Sequence, residues 1–376
     1  MKSASWVRLI GAAAGAITVG LASHAEATSS DDQKLHLAAA PADFAALGLG
    51  PTIAVWEDGR RTKSSTDTFE WWYFDGLLDD GTVVVVVFGD NWGYGSHKRS
   101  VSLELTPPGK PTRRVSRTFD DPGSFATDHA DIKIGPHEFK GDLDTYSIHV
   151  DPAETGGVGC DLTLRRRVAS YRPATGYDFA GTQYFAWLAA VPEGAVTGTL
   201  TADGVTRQVT GSGYHDHNWG NVSPAKLFDN WWWGRGQTGG HTIIAAEIHG
   251  KPAVGGTSIP LLFIADEHQV EVNAFGADVS PTEGPLVRHP DPAHSRAIAS
   301  EISYATADGT KAEFKISDHI LTSTNLLTQA PPAMRAAATA MGMKPWYTRF
   351  ESPITLSLPG EPATAGRGTL EYFELK

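Results

Sequence analysis

The feature that most constrains the fold is the recurrence of short apolar runs, each bounded by glycine, proline, asparagine or aspartate. Such runs are typical of β-strands joined by turns. Helical periodicity is clear only at 329–343, an alanine-rich segment followed by Pro345. The sequence therefore predicts an all-β protein. The predicted strands are 69–75, 83–88, 100–105, 146–150, 160–166, 183–191, 195–200, 241–249, 259–265, 270–275, 301–305, 311–316, 354–358 and 369–375.

Length and composition limit the classes of protein that the chain can belong to. Its 376 residues favour two domains over one. Its formal net charge is -12, and its densest basic run is only 165–167, which argues against nucleic acid or an anionic membrane surface as a partner. The single cysteine, Cys160, excludes an intrachain disulfide, so the fold must be stabilised by its core.

The first 27 residues have the pattern of a secretory signal peptide. Lys2 and Arg8 are basic, 9–22 are apolar, and 25–27 form a small-x-small cleavage site. The apolar run is too short to cross a bilayer comfortably, and we expect no stable membrane insertion. We therefore expect cleavage near Ala27, export to the periplasm or the exterior, and a flexible lead-in at 28–50.

A weak internal repeat suggests where the domain boundary lies. The aromatic strand at 69–73 leads through a turn to an apolar strand that opens at Val83. The same order recurs at 228–233 and Ile243, and in both cases a tryptophan precedes the apolar strand by twelve residues. This pattern predicts equivalent hairpins in two domains. We place these domains at 51–222 and 223–376.

Chemically versatile side chains are concentrated between residues 211 and 235. If the first half of this stretch is a strand, alternation places Tyr214, Asp216 and Asn218 on one face. The two intervening histidines and Trp219 then share the other face. Because buried polar groups must find partners, this cluster is the first candidate for a functional site. A structural β-corner, in which the polar groups satisfy one another, is the alternative.

The two histidines also raise the question of a metal. His215 and His217 have the spacing that places two imidazoles on one strand face. A catalytic zinc ion needs a third protein ligand, which His241, His249 or Glu247 would have to supply through space. We favour a hydrogen-bonded network of histidine, aspartate and asparagine, and we predict no metal and no cofactor.

Glu247 stands out because it interrupts the apolar strand 243–248. Either it faces outward, or it shares a face with Ile243 and Ala245, as its parity indicates. In the second case burial would raise its pKa, so that it could act as a general acid near neutral pH. Glu70 is a similar candidate at the first hairpin. Seven of the eleven tryptophans lie in these two regions, which favours an apolar ligand pocket.

Three motifs resemble those of one protein superfamily. They are Glu-Trp-Trp-Tyr-Phe-Asp at 70–75, Gly-Tyr-His-Asp-His-Asn-Trp-Gly at 213–220, and Trp-Trp-Trp-Gly-Arg at 231–235. In this order they resemble the carotenoid 1,2-hydratase (hydroxyneurosporene synthase) superfamily, with its kievitone-hydratase-like proteins and fungal Diels-Alderases. The resemblance implies two tandem lipocalin-like β-barrel or β-sandwich domains, with the ligand pocket at their interface.

The resemblance also implies roles for individual residues. Glu247 matches the acid that protonates an alkene in the hydratases, where it is an aspartate, and Ala245 stands where they have a tyrosine. His217 and Trp219 match the histidine and tryptophan of their central motif. The glutamate at 247 and the alanine at 245 depart from the hydratase pattern, and these two differences disfavour carotenoid hydration itself. An exported protein fits a prenylated phenol or another secreted isoprenoid better.

Our leading hypothesis is a cofactor-independent hydro-lyase that adds water to an alkene of an isoprenoid or prenylated molecule. Glu247 would donate the proton, with Asp216 in reserve, and His217 would help to position water. The other predicted substrate-binding residues are Tyr214, Asn218, Trp219, Trp231, Trp233, Glu70, Trp72 and Tyr73.

Two alternatives stay open. A pericyclase would fold a polyene into a reactive conformer without an obligatory acid. A non-enzymatic, lipocalin-like carrier of apolar molecules would need no ionisable group in its pocket.

Overall fold

The computed structural model describes residues 33–63, 68–90, 98–329, 332–340 and 343–375. The predicted signal peptide lies outside these residues. The chain divides into two compact units. The first contains 38–177 and 183–223, and the second contains 33–37, 178–182 and 224–375. In the part of the chain that is described, no helix is long and apolar enough to cross a membrane.

The described residues are organised almost entirely as antiparallel strands. In chain order these are β1 (His36–Leu37), β2 (Phe69–Leu78), β3 (Val83–Asp90), β4 (Arg99–Thr106), β5 (Arg113–Phe119), β6 (Ser124–Phe125), β7 (Ala130–Ile134), β8 (His137–Gly141), β9 (Thr145–Val150), β10 (Gly159–Arg166), β11 (Tyr177–Ala180), β12 (Gln183–Ala202), β13 (Val205–Gly220), β14 (Phe228–Thr238), β15 (His241–Gly250), β16 (Ser258–Ala265), β17 (Val270–Phe275), β18 (Ser280–Glu283), β19 (Leu286–Arg288), β20 (Ala297–Ala299), β21 (Glu301–Ala305), β22 (Lys311–Lys315), β23 (Ile320–Asn325), β24 (Trp346–Ser357) and β25 (Thr364–Glu374).

Helices are few and short. The α-helices are α1 (Pro41–Leu47), α2 (Pro224–Leu227) and α3 (Pro332–Ala340), and the 3-10 helices are Val55–Asp58, Pro252–Val254, Gly276–Asp278 and Leu326–Gln329. The all-β prediction is confirmed.

Each unit contains one long, curled antiparallel sheet, as in a lipocalin. The order in the first unit is β5-β4-β3-β2-β13-β12-β10-β9-β8-β7-β6. The order in the second unit is β17-β16-β15-β14-β25-β24-β22-β21-β18. In the first unit, β2 of the opening hairpin β2–β3 pairs with β13, the last strand of that unit. In the second unit, β14 of the opening hairpin β14–β15 pairs with β25, again the last strand. The predicted equivalence of the two hairpins is therefore confirmed.

One face of each sheet packs into a core. In the first unit this core contains large side chains such as Trp72, Phe74 and Phe139, which are fully buried. The second unit has its own core around Trp232 and Phe314. Burial of this apolar surface, at about 25 cal/mol per Å², is the main stabilising contribution available to a chain without disulfides.

Several elements differ from the sequence predictions. The lead-in predicted as flexible contains helix α1, which ends at Gly48 in the left-handed conformation (φ 68°). The two strands predicted at 183–191 and 195–200 form one 20-residue strand, β12. Register shifts between Leu188 and Gly194 let β12 continue past Pro192. Strand β5 was missed because its arginines and serine carry no apolar alternation.

Candidate active site

Strand β13 presents two chemically different faces. His215, His217 and Trp219 point into the core of the first unit and are at most 3% exposed. Tyr214 and Asp216 lie on the opposite face, where the Tyr214 hydroxyl donates a hydrogen bond to Asp216 Oδ2 at 2.8 Å. The alternation predicted for this motif is confirmed. The two faces must be considered separately, because their side chains are on opposite sides of one sheet.

The core face is organised around Asp58, the last residue of a 3-10 helix. Its Oδ2 accepts a hydrogen bond from the Tyr146 hydroxyl at 2.5 Å and lies 3.1 Å from Nε2 of His215. The other ring nitrogen of His215, Nδ1, lies 2.8 Å from the carbonyl oxygen of Tyr73. A carbonyl and a carboxylate can only accept, so this geometry requires both nitrogens of His215 to donate.

The same contacts act on the pKa of His215. Burial favours the neutral ring, but the charge and hydrogen bond of Asp58 and the carbonyl of Tyr73 outweigh it, so the pKa of His215 is raised. The geometry and the direction of the pKa both favour the imidazolium form of His215, paired with Asp58 inside the core. This pairing avoids the large penalty of an isolated buried charge.

His217 has its own carboxylate partner. Its Nε2 lies 2.8 Å from Oε1 of Glu70, and its ring stacks on Trp72 with centroids 4.5 Å apart. Trp219 contacts the same ring at 4.6 Å. Glu70 also accepts hydrogen bonds from the backbone and the hydroxyl of Thr62, at 2.9 and 2.6 Å. The network of histidine and carboxylate is present, although asparagine is not part of it.

Four predicted site residues are thus part of the core. Glu70, Trp72 and His217 are fully buried, and Trp219 is 3% exposed. The predicted roles of His217 in positioning water and of the other three in binding substrate require access that these side chains lack. They instead lock β2 to β13 and keep the opposite face of β13 in place.

On the second face of β13, Tyr214 and Asn218 are buried, at 1% and 8% exposed, and Asp216 between them is more exposed. Asp216 is half-buried, and both of its carboxylate oxygens are held. Oδ1 accepts from the amide of Asn218 at 2.7 Å, and Oδ2 accepts from the hydroxyl of Tyr214. These neighbours come from positions i±2 of the same strand, so the carboxylate has a fixed orientation.

Apolar and aromatic groups surround Asp216 on this face. Tyr73, its direct neighbour on β2, is half-buried and donates a hydrogen bond to Asp75 at 2.9 Å. Trp71 is also half-buried, and Val85 and Val87 of β3 continue the apolar surface. This face of β13 and β2 therefore carries two carboxylates, Asp75 and Asp216, beside aromatic rings and the apolar surface of β3.

The second unit places its candidates on opposite faces of one sheet. Glu247 lies directly across from Trp232, which is part of the core of that unit. Trp231 and Trp233 occupy the alternate positions of β14, and Trp231 stacks on Phe373 with centroids 4.1 Å apart. A catalytic Glu247 backed by a wall of Trp231 and Trp233 is therefore incompatible with the register of β14 and β15.

The pKa prediction for Glu247 is wrong. Its side chain shares the core face with Ile243 and Ala245, as parity indicated, and is 7% exposed. Burial does act to raise its pKa, but His249, 3.5 Å away, and the Ser258 hydroxyl, which donates at 2.8 Å, outweigh it. The pKa of Glu247 is lowered, so it is ionised at neutral pH.

Two buried carboxyls were not found by sequence reasoning. Asp58 follows Trp56 and Glu57 in a stretch that reads as a polar turn, and only the fold brings it to the histidines. Asp178, in β11, is 1% exposed, and neither of its oxygens has a hydrogen-bond partner among the described residues. Burial raises the pKa of Asp178 to about 8. The alternation of aromatic Tyr177 and Phe179 around Asp178 was the sequence pattern from which a strand through this aspartate could have been predicted.

The described residues contain no group of three or more histidine, cysteine, aspartate or glutamate side chains arranged to hold a metal ion. Nε2 of His215 lies beside Asp58 and Nε2 of His217 lies beside Glu70, while Nδ1 of His217 lies 3.5 Å from Oδ1 of Asp58.

Known proteins resemble this chain in sequence and in fold. No protein-family model matches it. Hydroxyneurosporene dehydrogenase of Chlorobaculum tepidum is 29% identical over 213 residues, 45% of this chain and 53% of the relative. Quinolone epoxide rearrangement protein penF of Penicillium thymicola is 26% identical over 206 residues, 47% of this chain and 54% of the relative. The chain thus matches about half the length of these curated relatives.

Solved structures share the fold over most of the chain. CghA with Sch210972 has a TM-score of 0.61 at 15% identity and covers 86% of this chain and 96% of its own. Kievitone hydratase from Nectria haematococca has a TM-score of 0.53 at 12% identity and covers 81% and 88%. These relatives confirm the predicted resemblance. At such identities the structures establish the lipocalin-like fold, and the chemistry must be argued from the residues.

Proposed function

We propose that the chain is an enzyme that converts a small, apolar, alkene-bearing molecule, and that Asp216 is its reactive group. The observation that carries this proposal is the position of Asp216, half-buried on an aromatic face with both oxygens held by Tyr214 and Asn218. A carboxylate at such a place is costly for a fold and typical of functional sites. The kinds of enzyme among the relatives support the same class.

Hydration of an isoprenoid or prenyl alkene is the reaction that we favour. Protonated Asp216 gives its proton to the alkene, which leaves the more stable tertiary cation. Water adds to this cation and returns a proton to Asp216, so the residue is regenerated. The rings of Trp71 and Tyr73 stabilise the cation by about 0.5–2 kcal/mol per contact.

Asp216 takes this role in preference to Glu247 for two reasons. Glu247 is ionised through His249 and Ser258, and its side chain faces the core of the second unit with Trp232. Asp216, the reserve candidate from the sequence, is half-buried and lies on the face of its sheet that is opposite to the core.

The test compares two isosteric variants on a prenylated phenol, with the gain of one water in mass as the readout. We expect Asp216→Asn to lower turnover by about 10²- to 10⁴-fold, the usual contribution of a general acid–base group. Glu247→Gln should keep most of the activity. Full turnover by Asp216→Asn, or loss of turnover only in Glu247→Gln, would contradict the assignment. If the wild-type protein binds the phenol without converting it, the carrier hypothesis replaces ours.

A pericyclase is the second candidate, and the observation that favours it is that both oxygens of Asp216 accept hydrogen bonds, which stabilise the carboxylate over the protonated form. A pericyclic reaction needs an apolar wall that folds the substrate, and it needs no proton donor. The two enzymes differ in their pH profiles. A hydratase that depends on Asp216 loses rate as pH rises, whereas a pericyclase stays nearly flat and tolerates Asp216→Asn.

A further inference from the structure

The second unit contains a cavity whose lining residues all belong to that unit. Its volume is about 360 Å³, within the lower range of small-molecule pockets. It is lined by the segment before β20, by residues that precede and form α3, and by the ends of β24 and β25. The lining residues that matter for its chemistry are His294, Arg296, Arg335, Lys344, Trp346 and Glu374.

The one carboxylate among these residues is already neutralised. Glu374 is 5% exposed and forms an ion pair with Arg296. Its Oε2 also lies 3.4 Å from Nε2 of His294. Burial acts to raise the pKa of Glu374, but the hydrogen bonds and charges of His294 and Arg296 outweigh it and lower the pKa. Because these partners neutralise Glu374, its carboxylate contributes little negative electrostatic potential to the rest of the cavity.

Two further cations line the same cavity. Arg335 donates a hydrogen bond to the carbonyl oxygen of Thr328 at 3.3 Å, a neutral acceptor. Within the described ranges, neither Arg335 nor Lys344 has a carboxylate partner. Both side chains are exposed. The cavity is therefore locally positive in a chain whose net charge is -12.

An aromatic surface lies beside these cations. The indole N–H of Trp346 donates to the Ser323 hydroxyl at 2.9 Å, which fixes the orientation of the ring. His294 packs edge-on against this ring, with centroids 5.2 Å apart. Leu327 and Met343 add apolar surface. The aromatic and apolar surface thus lines the same cavity as the cations.

We propose that this cavity binds a small aromatic carboxylate, with the carboxylate between Arg335 and Lys344 and the ring against Trp346. Guanidinium and ammonium groups recognise carboxylates through charge-assisted hydrogen bonds. The bound acid would be a ligand of the second unit, independent of the reaction at Asp216.

The experiment is isothermal titration of the full chain with 1-naphthoate and with its neutral analogue 1-naphthalenemethanol. We expect naphthoate to bind at least about tenfold more tightly, a difference of about 1.4 kcal/mol. The double variant Arg335→Gln/Lys344→Gln should bind both probes equally. The matched control, Lys110→Gln/Lys226→Gln, removes two exposed cations elsewhere and should keep the preference.

Two further variants test whether this site is independent of the proposed active site. Asp216→Asn should bind naphthoate as the wild type does, and Trp346→Leu should weaken both probes. The proposal is overturned if the wild type does not distinguish the probes, or if Arg335→Gln/Lys344→Gln keeps the preference for naphthoate. Failure of alkene hydration would leave these outcomes unchanged.

Discussion

At the scale of single residues, the first unit is defined by ionisable groups inside its core. Asp58 connects Tyr146, His215 and His217, and none of the four is more than 1% exposed. A buried network of this kind is stable only while every member keeps its partner. It gives the strand that carries Asp216 a rigid support.

The first prediction concerns the centre of this network. Asp58→Asn removes the charge that stabilises the His215 imidazolium, so we expect a loss of about 3–5 kcal/mol of unfolding free energy. Thermal or urea unfolding measures this loss. Asp278→Asn, a change at an exposed aspartate, is the control and should be near neutral. Equal stability of the two variants would contradict a charged His215–Asp58 pair.

The second prediction concerns Asp178, whose pKa of about 8 lies far above that of an unfolded aspartate. Between these two values the folded chain holds a proton that the unfolded chain has lost. Stability attributable to this group therefore falls as pH rises from about 4 to 8, by up to about 1.4 kcal/mol per pH unit.

Asp178→Asn removes that dependence. We expect the variant to melt higher than the wild type at pH 8 and to show little difference at pH 4. Melting temperatures of the wild type and the variant between pH 4 and pH 8 test this expectation. A wild-type advantage at pH 8 would mean that the Asp178 carboxylate is paired in the folded protein.

At the scale of elements, the register of β13 between β2 and β12 decides which side chains meet. Gly213 of β13 lies opposite Gly76 of β2 and Gly194 of β12. A Cβ atom at Gly213 would lie 2.7 Å from Val196 Cγ2 and 2.9 Å from the carbonyl oxygen of Asp75. The small residue therefore allows close approach of the strands where the sheet curls.

The third prediction follows from this close approach. Gly213→Ala should cost about 1–3 kcal/mol of unfolding free energy through overpacking. Gly50→Ala is the matched control, because its new Cβ meets nothing closer than 3.7 Å. Urea unfolding of both variants provides the comparison. If Gly213→Ala is as stable as Gly50→Ala, the strands have room to separate.

At this scale, strand alternation is what the sequence could predict. The two faces of 214–219 and the core parity of Glu247 followed from a period of two. The pairing of Glu247 with Ser258 did not, since it depends on the register between β15 and β16. Register is a long-range property, and a shift of one residue reverses every face.

At the scale of the whole molecule, stability rests on two cores without a covalent crosslink. Cys160 is 2% exposed and is the only cysteine of the chain. Burial raises the pKa of its thiol, so the reactive thiolate is suppressed in the folded state.

The fourth prediction uses this thiol as a probe of global unfolding. Cys160 should react with a disulfide reagent such as dithionitrobenzoate only after denaturant unfolds the first unit. Melting temperatures with and without reductant should agree. Rapid labelling of the native protein would show that the strand pair β9–β10 opens locally.

The sequence by itself determined the strand-rich composition, the two equivalent hairpins and the two faces of β13. Each of these depends on local alternation and turn residues, which act over a few positions. Only the tertiary structure decided that His217 and Trp219 belong to a core, that Asp58 lies beside both histidines, and that Glu247 is ionised. These outcomes depend on contacts between residues as much as 159 positions apart (58 to 217). The physical reason is that burial and charge pairing are set by what packs against a side chain, and no local pattern records that neighbour.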